Sequence, residues 1–118
     1  MSIQEEIKKV KLASPRMAAS TEEMRNKALQ MVSDALLAHQ DEIFTANRED
    51  MEQAAKDGVA APILKRLKFD EGKLRDVVAG IGDLIHMEDP LFRTQFAREL
   101  DEGLVLKRVT CPIGVIGV

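Results

Sequence analysis

Residues 91–118 read LFRTQFARELDEGLVLKRVTCPIGVIGV, and this stretch decides the fold. Phe92, Thr94, Phe96, Arg98 and Leu100 alternate with Arg93, Gln95, Ala97 and Glu99, the period of two that a half-exposed strand requires. Asp101-Glu102-Gly103 is a turn, with Gly103 free to take positive φ, and Leu104 to Thr110 runs back as the partner strand. The spacing predicts an antiparallel hairpin over residues 91–110, followed by Cys111. Pro112 to Val118 differs, being apolar throughout, as suits a strand buried on both faces of a parallel sheet. A strand of that kind needs covering layers, so it implies that the natural protein goes on.

Upstream of Asp89-Pro90 the period changes to that of helices. Ile3, Ile7 and Val10 recur at helical spacing, and Ser14-Pro15 is expected to kink or interrupt that helix, since proline lacks the donor and clashes with the preceding turn. Ser20 and Glu23 form a capping-box pattern. The helix it opens carries Met24, Ala28, Met31, Val32, Ala35 and Leu36 as an apolar stripe. The next helix, from about Asp41 to Asp57, places Phe44, Asn47, Met51, Ala54 and Ala55 on one face, and Gly58 suits its left-handed end. A short segment around Ile63, Leu64 and Leu67 precedes Asp70, a cap for a helix with Leu74, Val77, Val78, Ile81, Leu84 and Ile85 at the 3.6-residue period. Gly80 and Gly82 weaken that helix, which points to close packing of another element against them.

The composition narrows the function classes. The chain has 118 residues, 45% hydrophobic and 31% charged, enough for one small domain with its own core. A net charge of −3, with no Tyr or Trp and 4 Phe, counts against a nucleic-acid surface or a base-stacking platform. No apolar run approaches the roughly 20 residues of a membrane helix, and the charged start MSIQEEIKKVK lacks a secretion signal's apolar core. Cys111 is the single cysteine, which excludes an internal disulfide and makes a reducing cytoplasm the expected compartment.

Few residues invite chemistry. Cys111 has only Lys107 and Arg108 nearby to lower its pKa, so it reads as a small residue beside a sheet rather than a nucleophile. His39 and His86 have no second ligand at metal spacing; His39 suits a helix C-terminus, and His86 a surface or interface. Gly114 to Gly117 is neither GxGxxG nor a Walker loop. Lys8, Lys9 and Lys11, like Lys65, Arg66 and Lys68, are interspersed with other residues as solvated faces are. Asn47, on an apolar face, must find partners, and a structural bridge to a neighbouring loop is the favoured reading. No catalytic, cofactor-binding or metal-binding residue is assigned.

The ordered series KKVKLASPRMAAST (8–21), NKALQMVSDALLAHQDEIFTANREDMEQAAKDG (26–58), ILKRLKF (63–69), Asp89-Pro90 and GLVLKRVTCPIGVIGV (103–118) resembles the N-terminal part of gamma-glutamyl phosphate reductase. That family, also called glutamate-5-semialdehyde dehydrogenase, belongs to the aldehyde dehydrogenase superfamily. Ala46-Asn47 with Asp50, Asp57-Gly58, Leu64 to Leu67 and Arg108 to Val118 carry the resemblance most specifically, while Pro15 and Thr110-Cys111 depart from it. The resemblance implies an α/β fold, the N-terminal segment of an aldehyde-dehydrogenase-like fold. Residues 1–90 would be its helical layer, residues 91–111 an antiparallel β-hairpin oligomerisation arm, and residues 112–118 the first strand of a truncated Rossmann-like nucleotide-binding sheet.

For the parent protein the resemblance implies NADPH-dependent reduction of L-glutamyl 5-phosphate in proline biosynthesis, by a cytoplasmic homo-oligomer that uses neither nucleic acid nor membrane. A thiolate attacks the acyl phosphate, phosphate leaves, and hydride reduces the thioester to the aldehyde. The family's nucleophile lies beyond Val118, so the segment alone is expected to be inactive. Two alternatives stand beside this reading: the reductase part of a bifunctional pyrroline-5-carboxylate synthase, and a non-catalytic helical interaction module.

Overall fold

Ser2 opens the first helix with a capping box that the sequence reading missed. Its Oγ accepts from the Glu5 N–H at 3.4 Å, and the Glu5 carboxylate accepts from the Ser2 N–H at 3.0 Å. The computed structural model describes residues 2–117. In chain order it contains α1 (Ile3–Ala18), α2 (Glu22–Ala38), α3 (Gln40–Lys56), α4 (Ala61–Leu67), α5 (Glu71–His86), β1 (Thr94–Asp101) and β2 (Leu104–Val109). These fall into two units: residues 2–25 with 88–117, and residues 26–87.

In the first unit, α1 runs through Pro15 to Ala18, so the expected interruption does not occur. Pro15 sits in the last turn, and its missing N–H leaves the helix one bond short at the Lys11 carbonyl without ending it. The second correction concerns Ser20. Its hydroxyl donates back to the Met17 carbonyl at 2.5 Å, closing α1, and the cap of α2 is Thr21, whose Oγ1 accepts from the Met24 N–H at 3.2 Å. With Thr21 as the cap, the third helical position is Met24 rather than Glu23, so no Ser20–Glu23 box forms.

The hairpin forms where the sequence predicts it. β1 and β2 pair antiparallel, with Phe96 opposite Arg108, Arg98 opposite Leu106 and Asp101 opposite Leu104. Glu102-Gly103 makes the turn, with Gly103 at φ 76. The register shifts near both ends of β1, and every strand residue is exposed. The expected half-buried pattern is therefore absent; both faces of the hairpin are open. Residues 111–117 pair with no strand among the described residues, and Ile113 and Ile116 are 87% and 66% exposed. A parallel strand exists only beside a neighbour, and none is supplied by this segment. The remaining position of the expected strand, Val118, lies outside the described residues.

In the second unit, α3 ends as Gly58 takes φ 74. The Val59 N–H reaches the Ala54 carbonyl at 3.0 Å and the Gly58 N–H reaches that of Ala55 at 3.1 Å, the paired bonds of a Schellman end. Asp70 caps α5 as expected, accepting from the Lys73 N–H at 3.1 Å. Leu74, one turn into α5, is 1% exposed. Asn26 of α2 donates to the Ile85 carbonyl of α5 at 3.3 Å.

Burial departs from the sequence reading in two ways. On α2 the inward face is Asn26, Leu29, Ser33 and Leu36, whereas Met24, Ala28, Met31, Val32 and Ala35 of the expected stripe are exposed. This helix is apolar on more than one side, so the pattern alone could not orient it. On α5, Val77 and Leu84 are likewise exposed, and a methyl group added at Gly80 or Gly82 meets nothing within 4 Å. The close packing expected at those glycines is not provided by the described residues. Nor does the chain build the expected core: Leu74 is its one buried apolar side chain among the described residues. Other apolar side chains, such as Leu36, Phe44 and Ile81, are half-buried, and many are exposed.

Candidate functional site

The second unit holds a shallow cleft of about 620 Å³ at the joint between α3 and the linker leading to α5. Asn47 builds it. Its Nδ2 donates to the Leu67 carbonyl at 2.9 Å, and its Oδ1 accepts from the Phe69 N–H at 2.7 Å. Both ends of the amide are thus used on one linker, the structural bridge that its place on an apolar face suggests. Phe69 packs beside Phe44 with ring centroids 6.4 Å apart and planes tilted by 42°. Lys68 meets Asp70 at 3.0 Å on the rim. The Lys73 N–H and the Lys68 ammonium hold the Asp70 carboxyl below the usual carboxylate range. These groups satisfy one another, and the cleft has no Ser, Thr, Cys or His in its lining.

A second groove, about 910 Å³, lies in the first unit between α1 and the C-terminal segment. Ile3, Ile7 and Val10 line one wall and Val115 and Ile116 the other, with Glu6 and Lys11 at the margins. This is an apolar surface rather than a reaction site.

The reactive residue types singled out from the sequence do not converge. Cys111 is a free, exposed thiol between β2 and the C-terminal segment. His39 follows α2, its N–H bonded to the Ala35 carbonyl, while its ring faces Glu42 at 3.5 Å. His86 is exposed in the last turn of α5, its Nδ1 2.7 Å from the Gly82 carbonyl. Lys8, Lys11, Lys65 and Arg66 are exposed, and Lys9 pairs with Glu6 at 3.0 Å. Among the described residues no group of three or more His, Cys, Asp or Glu side chains could hold a metal ion. No described helix is long and apolar enough to cross a membrane.

Comparison with known proteins gives the chain its context. No protein-family model matches it. Gamma-glutamyl phosphate reductase of Acetivibrio thermocellus is 52% identical over 118 residues, which is 100% of this chain and 27% of the relative. The protein of the same name from Pelotomaculum thermopropionicum is 48% identical over 118 residues, again 27% of its length. Two solved structures agree. Gamma-glutamyl phosphate reductase from Saccharomyces cerevisiae superposes with a TM-score of 0.85 at 37% identity, covering 95% of this chain and 29% of that one. The Thermotoga maritima enzyme gives a TM-score of 0.86 at 28% identity, over 93% of this chain and 27% of that one. The chain therefore spans about a quarter of the length of the relatives it matches. The resemblance seen in the sequence and the helices followed by a hairpin fit a piece of that larger fold. From end to end, this chain is similar to part of a gamma-glutamyl phosphate reductase.

Proposed function

We propose that the chain is the N-terminal part of an NADPH-dependent reductase that converts L-glutamyl 5-phosphate to L-glutamate 5-semialdehyde in the cytoplasm, a step of proline biosynthesis. The observation that carries this reading is the match along the whole chain: 52% identity over 118 residues to a protein with that reductase name. In this reading the segment supplies scaffold rather than reacting groups. Residues 1–90 form a helical layer whose open apolar faces are covered by later parts of the enzyme. Residues 91–111 form an arm that joins a second copy of the subunit, supported by a hairpin exposed on both faces. Residues 112–118 become the first strand of the nucleotide-binding sheet once a neighbouring strand is present, supported by the exposed apolar side chains of Ile113, Val115 and Ile116.

The reaction needs a thiolate to take the acyl group from phosphate and a donor to reduce the thioester. Cys111 is not that thiolate in this reading, which is supported by its place as an exposed free thiol with only Lys107 and Arg108 as cations close in sequence. The test is to assay the complete protein for NADP⁺- and phosphate-dependent oxidation of glutamate 5-semialdehyde, alongside Cys111→Ser. Activity in both proteins is the expected result. Absence of activity in the wild type would overturn the assignment, and loss only in a folded Cys111→Ser protein would move the nucleophile to this segment.

A further inference from the structure

The chain enters the hairpin through Phe92, whose φ is 57. It is the one non-glycine residue with positive φ among the described residues. A bulky side chain in the left-handed region brings Cβ against the following carbonyl, a conformation normally left to glycine or asparagine. Packing does not compensate, because Phe92 is 63% exposed. Such a residue persists only where its surroundings over-determine it.

The surroundings do so through two side chains. Asp89 accepts from the Leu91 N–H at 3.1 Å with Oδ1 and from the Arg25 guanidinium at 2.8 Å with Oδ2, while its carbonyl accepts from Arg93 Nε at 2.6 Å. Arg25 also donates to the Ser20 carbonyl at 2.6 Å, which ties the bend to the turn between α1 and α2. Across the hairpin root, the Thr110 hydroxyl accepts from the Arg93 N–H at 2.8 Å and donates to the Pro90 carbonyl at 2.6 Å. The Phe92 N–H reaches the Thr110 carbonyl, and the Thr110 N–H reaches that of Arg93, each at 3.0 Å. Every residue from Asp89 to Arg93 is thereby held from at least one side.

We propose that Phe92 is a strained bend locked by Asp89 and Thr110, and that these two are positioning residues that fix the direction in which β1 departs from Pro90. The inference does not depend on the enzymatic reading. A relaxed connection would carry glycine at this φ, and a flexible one would not need a threonine hydroxyl bonded on both sides.

Amide hydrogen exchange of the intact protein tests it, read on peptides covering residues 90–95 and 108–112 and corrected for intrinsic rates. Phe92→Ala removes the ring but keeps Cβ, whereas Phe92→Gly removes both, so their difference reports the strain. The glycine variant should be about two- to fivefold better protected than the alanine variant. Thr110→Val deprives the Arg93 N–H of its acceptor and should speed exchange about tenfold, with Thr110→Ser restoring protection. Glycine no better protected than alanine would overturn the strain, and unchanged exchange in Thr110→Val would overturn the lock. Should Thr110→Val fail to fold, Asp89→Asn reads the same lock by removing the ion pair with Arg25, and unchanged exchange there would overturn it.

Discussion

Asn47 shows how much a single amide can organise. Its Oδ1 and Nδ2 replace the partners that the Phe69 N–H and the Leu67 carbonyl lack in an irregular linker. Asn47→Ala leaves both groups without their partners at a half-buried position, so a loss of about 1–2 kcal/mol is expected. Asn47→Asp keeps the acceptor for Phe69 and should lose less. Urea unfolding at constant slope distinguishes the two. Asp70, the residue after Phe69, carries a pH signature. Its carboxyl titrates below its ordinary value because the Lys73 N–H and Lys68 favour the ionised form. For a depressed carboxylate, the stabilisation is complete above the unfolded-state pKa and is lost as pH falls through the folded one. The urea midpoints of the wild type and Asp70→Asn should therefore differ at pH 7 and converge below about pH 4. The carboxylate is solvated, so added salt should shrink the gap.

At the scale of elements, the ends of helices follow from a few residues each. Gly58 was readable because a glycine after the last helical residues suits a left-handed end, and the structure has it at φ 74. Gly58→Ala forces a Cβ into that conformation, although nothing else lies within 4 Å of it. The expected cost is about 1 kcal/mol, seen as a lower midpoint in thermal or urea unfolding, with Gly58→Asn milder. The start of α2 was legible only in part. Ser20 and Thr21 are both capping residue types, and one position decides whether Glu23 lies at the reciprocal site. The structure gives that place to Thr21, whose Oγ1 accepts from the Met24 N–H, while the Ser20 hydroxyl donates back to the Met17 carbonyl.

For the molecule as a whole, the open apolar surface dominates. Met24, Met31 and Val32 of α2, Leu84 of α5, and Ile113 and Ile116 of the C-terminal segment are each more than half exposed. Produced by itself, the chain should bind an apolar dye and sediment with increasing mass as concentration rises. It should also show no saturable binding of NADPH by calorimetry. Doubly wound sheets hold dinucleotides beyond the carboxyl ends of several strands, and the described residues contain only the two-stranded hairpin. Micromolar one-to-one binding would place the cofactor site within this segment, against the proposed division of labour.

What could be read from the residues alone is local and directional. Period-two alternation around a glycine turn predicts the hairpin, Asp70 and Gly58 mark helix ends, and a polar amide on an apolar face predicts the Asn47 bridge. Each depends on hydrogen bonds or dihedral limits that span a few residues or one obvious partner. Tertiary structure decided the rest: which side of α2 turns inward, that Pro15 is carried within α1, that Gly80 and Gly82 have no close neighbour here, and that Phe92 is bent. Burial depends on which surfaces are available to pack against, and much of this apolar surface has no partner within the chain itself. The bend at Phe92 depends on Asp89 and Thr110, the latter 18 positions away along the chain, closing over it. No pattern in the neighbouring residues announces that.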